Sequence, residues 1–438
     1  MISPTVLATR LPDYLPRQRW FGAKDRMVEM VSVARSEVLQ EPWPALLRLE
    51  ADVSLAGEAE PARYQLLVGL RPMGEPLEFL AGHEESVLGD VETEAGHAMA
   101  YAAHLDSDLA LALLPIVAPG QTAKRVRPVG AEQSNTSLVY DDAVIMKIFR
   151  RLTEGPNPEV EVTEALHRLG FEHVAEPLAH WHKDGCDLAF LQRYLIGGSE
   201  GWAMAINSLR DLFADPGDPA EVGGDFGAEA HRLGDVSAQL HVCMADAFGS
   251  HEGRPDDWVD LMEAQIKRVL PGDTGEAARR VVSRLRDVAD PGPAIRVHGD
   301  YHLGQVMRTD TGWYVLDFEG EPARPLEERS RPNSPLKDVA GMLRSFHYAS
   351  RAAMVTQEDD VSGLARVWEE RNRKCFLAGY LPRAAGGGLL PADEVSLDAV
   401  LAAFEVDKAV YEVAYEQAHR PDWVDIPLGA IRRLAEVS

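Results

Sequence analysis

Cysteine is scarce: Cys186, Cys243 and Cys375 are the only three in 438 residues. They are far apart and odd in number, so they supply neither a disulfide framework nor a thiolate metal cluster. Basic residues are also short. Forty-four Lys and Arg stand against 70 Asp and Glu, a formal net charge of -26, which opposes binding to nucleic acid or to anionic membrane surfaces. Any phosphate site must therefore be locally basic. No apolar run approaches the ~20 residues of a membrane span, and the opening stretch MISPTVLATRLPDYLPRQRW lacks a basic region leading into an apolar one; a cytoplasmic protein is expected. No internal repeat is apparent. The length exceeds what one growing core supports, so two or three subdomains are expected.

What the chain does contain is concentrated between Ile295 and Glu321, IRVHGDYHLGQVMRTDTGWYVLDFEGE. Two short strand-like runs, Ile295-Arg296-Val297 and Trp313-Tyr314-Val315-Leu316, each end in polar residues, where chemistry is commonly placed. Phosphoryl transfer needs one carboxylate to orient the attacking hydroxyl, and an amide oxygen with a second carboxylate to hold Mg²⁺ against the triphosphate. Asp300, Gln305 and Asp317 suit those tasks. The rival reading is a metal hydrolase, with His298, Asp300 and His302 alternating along a strand toward zinc, but no further His or Cys cluster completes such a site.

Residues 1 to about 92 read as a small sheet-rich module that opens on a helix, with Arg19, Trp20 and Lys24 either near a ligand or anchored in a core. From Glu92 to Leu114 the spacing of Ala95, Ala98, Ala102 and Leu105 predicts a helix. A hairpin follows, with Ser134, Asn135, Thr136 and Ser137 in its loop and Lys147 inside an apolar strand. A buried ammonium needs a partner; phosphate oxygens and Glu161, in a helix capped by Asn157 and Pro158, would supply it, with Glu159 or Glu164 as substitutes. The loop lacks the several glycines of a phosphate cradle, yet small residues still let backbone amides approach. The strand Leu188–Leu195 runs into glycines at Gly197 and Gly198, as a hinge offering backbone groups to adenine would, with Gln192 and Tyr194 beside it. Asp338 is expected to cap its helix or brace the catalytic loop. From Asp398 to Arg420 a helix sets Glu405, Glu412 and Glu416 on one stripe and Asp407, Tyr411 and Tyr415 on another. Those stripes are either a solvated face or an acidic, aromatic pocket for a polyol or amine, with Trp423 stacking on a sugar.

YLPRQRWFGAK, EQSNTSLVY, IMKIFRR, HGDYHLGQ, LDFEGEP, SPLKDVAGMLRSF, DKAVYEVAYE and RPDWVDIPL occur in this order. Over nearly its whole length the chain resembles the aminoglycoside-phosphotransferase-like sugar kinases of the maltokinase type, including the related actinobacterial glucosamine kinases. The resemblance implies an α+β, bilobal protein-kinase-like fold with an N-terminal cap: 1–92 the cap, 93–196 the rest of the nucleotide-binding lobe, 197–438 a mostly helical lobe with the catalytic loop and sugar site. It assigns Lys147 and Glu161 to the ATP phosphates, Asp300 to the base, and Gln305 and Asp317 to Mg²⁺. The acceptor is expected to be glucosamine, phosphorylated at O6, or else maltose at the anomeric hydroxyl. Tyr301, where maltokinases carry Leu, would narrow the pocket beside His302 toward a monosaccharide, and Glu412 or Glu416 would take an ammonium. A monomer or weak homodimer is expected. A silent nucleotide- or sugar-binding regulator on the same fold is the reading of a different class, and the intact set Lys147, Asp300, Gln305 and Asp317 argues against it.

Overall fold

The structure, a computed structural model, describes residues 4–24, 26–58, 60–94, 96–130, 134–222, 224–321, 326–355 and 357–437. They form two compact units, one of residues 1–161 with 175–196 and one of 162–174 with 197–438.

The first unit holds two antiparallel sheets. One is ordered Val28–Gln40, Ala45–Leu55, Ala62–Pro72, Gly96–Ala102, Val87–Thr93, with Arg151–Leu152 also pairing on Ala62–Pro72. The two-residue period of its strands sorts side chains to opposite faces. Leu47, Leu49, Ala51 and Val53 meet Leu7, Leu11, Leu15, Trp20 and Phe21 of the N-terminal segment. Leu46 and Leu67 meet the helix Ser107–Val117 and the second sheet. Trp20 is thereby a core residue, its ring under the Arg150 guanidinium at 5.0 Å. The second sheet is ordered Pro177–Lys183, Cys186–Arg193, Val144–Ile148, Thr136–Tyr140, Val126–Pro128. One buried amide ties the sheets together: Gln65 Nε2 donates to the carbonyls of Phe149 and Leu188, both at 2.9 Å, and its Oε1 accepts from Arg48 Nε at 3.0 Å.

The helix expected over 92–114 is not formed. Gly96–Ala102 is a strand, and the helix is the later Ser107–Val117; Ala95 lies outside the described residues. Ala98, Ala100 and Ala102 are buried at strand spacing between two neighbours, so sheet pairing overrides the alanines' helical propensity.

The second unit is mostly helical. The helices Gly227–Phe248 and Ser362–Gly386 cross with their backbones nearly touching: a Cβ at Gly234 would lie 2.1 Å from the Phe376 carbonyl oxygen, and one at Gly379 2.0 Å from that of His231. Only glycine fits at these two positions. A small sheet, Ser199–Glu200, Val306–Thr309, Gly312–Val315, carries the loops that follow Val297 and Val315.

This unit also buries an ionic cluster. His347 Nδ1 lies 2.8 Å from Glu369 Oε2, and Arg433 donates to Glu369 Oε1 at 3.0 Å. Burial, reinforced by Arg344 and Arg433, pushes His347 down to about 4 despite Glu369. Burial would raise Glu369, but His347, Arg433 and Arg373 outweigh it and hold the group at about 2. Both folded values lie below the ordinary 6.5 and 4.5, so the unfolded chain binds these protons first and acid destabilises the fold. The stability should be intact above pH 6.5 and fall through the window from 6.5 to 4 and on toward 2, each group adding a slope of at most ~1.4 kcal/mol per pH unit. Urea unfolding of the wild type and of His347→Gln between pH 7.5 and 5 measures this. Equal slopes in the two proteins would remove His347 from the account.

Candidate functional site

In the first unit, Lys147 lies on the strand Val144–Ile148, with Ser137 and Phe190 opposite it in register. Its Nζ is 2.5 Å from Glu159 Oε2. The helix begins as its sequence demands: Asn157 Oδ1 accepts from the Glu159 amide at 2.8 Å, Pro158 opens the first turn, and the Asn157 amide donates to Asp187 at 2.7 Å. Of the carboxylates expected to serve Lys147, Glu159, in the first turn of its helix, thus faces the strand lysine.

Of the four residues expected in the hairpin loop, Thr136 and Ser137 instead open the strand Thr136–Tyr140, where they pair with the strand Val144–Ile148; Ser134 is exposed, while Asn135, Thr136 and Ser137 are buried. Their polar groups serve the protein itself: Thr136 Oγ1 accepts from Arg150 Nε at 2.9 Å and Asn135 Oδ1 from the Arg150 amide at 3.4 Å. Gln192 and Arg193 close the next strand, and Gly197 takes φ +68°. The Tyr194 amide donates to the Ala143 carbonyl, and its ring and hydroxyl are occupied by Arg127.

In the second unit, residues 298–302 form a loop, not the alternating strand of the hydrolase reading. His298 Nε2 donates to the Leu316 carbonyl at 2.8 Å and its Nδ1 accepts from the Asp300 amide at 3.4 Å, so both ring nitrogens are used within the loop. Asp338, 1% exposed in the first turn of the helix Leu336–Met354, accepts from the His298 amide at 2.7 Å and the Gly299 amide at 2.9 Å. His241 Nε2 donates to the same carboxylate at 3.1 Å, and His241 Nδ1 meets the Tyr380 hydroxyl at 2.8 Å. Burial would raise the Asp338 carboxyl; the contacts to His241 and the Gly299 amide, with the nearby His298, more than offset it, so it sits below the usual range. Asp338 therefore braces the loop at 298–302. Gly299 takes φ +87° and Asp317 φ +63°. The second is a strained conformation for a residue with a Cβ, of the kind that concentrates at functional sites.

Asp300 is the polar centre of this loop. Burial would raise its carboxyl, but Lys408, His302 and His298 hold it well below the usual carboxylate range. Lys408 Nζ donates to Asp300 Oδ1 at 2.9 Å and to Glu321 Oε1 at 3.1 Å. His302 turns Nδ1 to the Gly304 amide and holds Nε2 3.9 Å from Asp300 Oδ2. Burial pushes the His302 pKa down, against the pull of Asp300. Gln305 Nε2 lies 3.1 Å from Asp317 Oδ2. A carboxylate and a carboxamide brought this close are an oxygen-donor pair of the kind a hard divalent cation takes, the amide turning its oxygen inward.

The expected sugar pocket fares differently. Tyr301 is 2% exposed, packed in the core with its hydroxyl 2.8 Å from Ser237 Oγ, so it does not narrow a pocket. Glu412 pairs with the buried Arg344, whose Nε is 3.2 Å from Oε2. Glu416 is met by Arg420 at 2.8 and 2.9 Å and by the Tyr348 hydroxyl. A buried carboxylate is held by paired donors, and here guanidinium groups fill the place expected for an ammonium. Trp423 stacks on Tyr348 at 6.0 Å with Arg420 above it at 4.8 Å. Tyr411 faces Lys408. Lys408 and Glu321 were missed; the signal was a lysine set among the buried positions Val406, Ala409 and Val410.

Residues 125–372 match the phosphotransferase enzyme family and residues 14–106 the maltokinase N-terminal cap domain. A glucosamine kinase of Mycolicibacterium smegmatis is 31% identical over 339 residues, covering 72% of this chain and 81% of that protein. One from Streptacidiphilus jiangxiensis is 29% identical over 324 residues, covering 69% and 71%. Among solved structures, a glucosamine kinase in complex with glucosamine, ADP and inorganic phosphate is similar in fold, with a TM-score of 0.68 at 21% identity over 99% of this chain and 100% of that one.

Proposed function

Because the chain belongs to the phosphotransferase enzyme family, we propose that it is an ATP- and Mg²⁺-dependent sugar kinase that forms glucosamine 6-phosphate. The acceptor rests on one observation, the 31% identity to a glucosamine kinase over four fifths of that protein. The chemistry rests on Asp300, a carboxylate kept ionised at the head of a braced loop.

In this reading Lys147, oriented by Glu159, holds ATP phosphate oxygens. Asp300 accepts a hydrogen bond from the sugar hydroxyl and aims its oxygen at the γ-phosphorus. As the new P–O bond forms and the bond to the β-phosphate oxygen breaks, the hydroxyl proton passes to Asp300 and ADP leaves. Gln305 and Asp317 would hold Mg²⁺, which would supply charge neutralisation at the phosphates. The second reading, maltose phosphorylated at the anomeric hydroxyl, draws on the match to the maltokinase cap domain and on the guanidinium partners of Glu412 and Glu416.

Phosphorus NMR of the products from ATP with glucosamine, glucose, maltose and an aminoglycoside separates these readings. The expected product is phosphate on O6 of glucosamine with little transfer to the others. Phosphate on C1 of maltose would replace the proposed acceptor, and no transfer to any sugar would favour the silent regulator.

A further inference from the structure

The helix Glu394–His419 buries a lysine among valines and alanines. The Lys408 side chain is 16% exposed, and an ammonium in such a place persists only with partners. It has three. Asp300 Oδ1 and Glu321 Oε1 lie within hydrogen-bond distance, and the Tyr411 ring centroid is 4.7 Å away. Glu321 is itself 3% exposed, so the ammonium stands between two carboxylates. Asp300 Oδ1 is committed to Lys408, while among the described residues Oδ2 has the His302 ring nitrogen at 3.9 Å, beyond bonding distance.

We infer that Lys408 is a positioning residue for phosphoryl transfer: by fixing Asp300 through Oδ1 it presents Oδ2 to the acceptor hydroxyl. The inference rests on Asp300 being the base of the proposed kinase. The groups facing Asp300 are Lys408 from the helix Glu394–His419 and His298 and His302 from its own loop, with Glu321 on the far side of Lys408. In the reaction Lys408 neither gains nor loses a proton; the hydroxyl proton goes to Oδ2 while the ammonium stays on Oδ1. Glu321 draws the ammonium part-way from Asp300, so the base stays ionised without its basicity being wholly cancelled. The two neighbours of Asp300 therefore push it in opposite directions.

The full-length variants Lys408→Met, Lys408→Arg and Glu321→Gln test this. With Lys408→Met, the acid limb of kcat/KM for the sugar should move to higher pH by on the order of one unit, a tenfold loss of ionised base at acid pH, while KM for ATP stays within about twofold. Lys408→Arg should return the limb most of the way. A loss of kcat that is uniform with pH would mark a structural role and overturn the inference. The Asp300 carboxyl titration in carbon-13 aspartate-labelled protein, assigned with Asp300→Asn, needs no turnover, so it judges Lys408 whichever sugar the wild type proves to phosphorylate. The midpoint should rise in Lys408→Met and fall or hold in Glu321→Gln. A midpoint unmoved by Lys408→Met overturns the inference, as does a rise in Glu321→Gln if the methionine variant does not fold.

Discussion

Asp300→Ala is expected to lower kcat by roughly 10²–10⁴-fold, the usual worth of a positioned general base, with ATP binding retained. The substitution removes the group that orients the hydroxyl and leaves Lys408 paired with Glu321 alone. Asp300→Asn is the sharper variant. It keeps the shape and an oxygen for Lys408 but cannot take the proton, so its rate should fall nearly as far. Steady-state turnover alongside nucleotide binding by calorimetry gives both numbers. A near-normal rate in either variant would end the assignment of Asp300 as the base.

The second large effect is expected at Asp338, which touches no reactant. Its two oxygens hold the amides of His298 and Gly299, and His241 with Tyr380 stands behind it. Alanine there would leave two buried amides and an imidazole without their acceptor. Breaking a buried ionic network in this way costs about 3–5 kcal/mol. Asparagine keeps one oxygen but offers an NH₂ to a second donor, so about 1–3 kcal/mol should be lost. With the loop displaced by an ångström, kcat should fall about 10²-fold while KM for ATP changes little. Denaturant unfolding and kcat of Asp338→Asn are the measurements. Full activity at reduced stability would reduce Asp338 to a strut for its helix.

Much of this was legible in the sequence because it is local. The polar clusters at 298–305 and 317 and the capped helix after Asn157 follow from propensity and turn chemistry. What was not legible is pairwise and distant. Glu159 and Glu161 sit in the same first turn, and spacing alone does not say which of them meets Lys147. Glu412 and Glu416 look like an open acidic face until the helix Leu336–Met354 brings Arg344 and Tyr348 against them. Lys408 is separated from Asp300 by 108 positions, and no periodicity reports such a contact. Tyr301 reads as a pocket residue from its place beside Asp300, yet its loop turns it inward to Ser237 on the helix Gly227–Phe248.

The brace on the loop at 298–302 bears on how the protein is made. The loop takes its backbone acceptor from Asp338, which His241 and Tyr380 back, and its cation from Lys408. During synthesis on the ribosome the Asp300 carboxylate therefore emerges 108 residues before its counter-charge. A nascent chain that stops before the helix Glu394–His419 carries every motif residue of the loop and none of the ammonium that holds it.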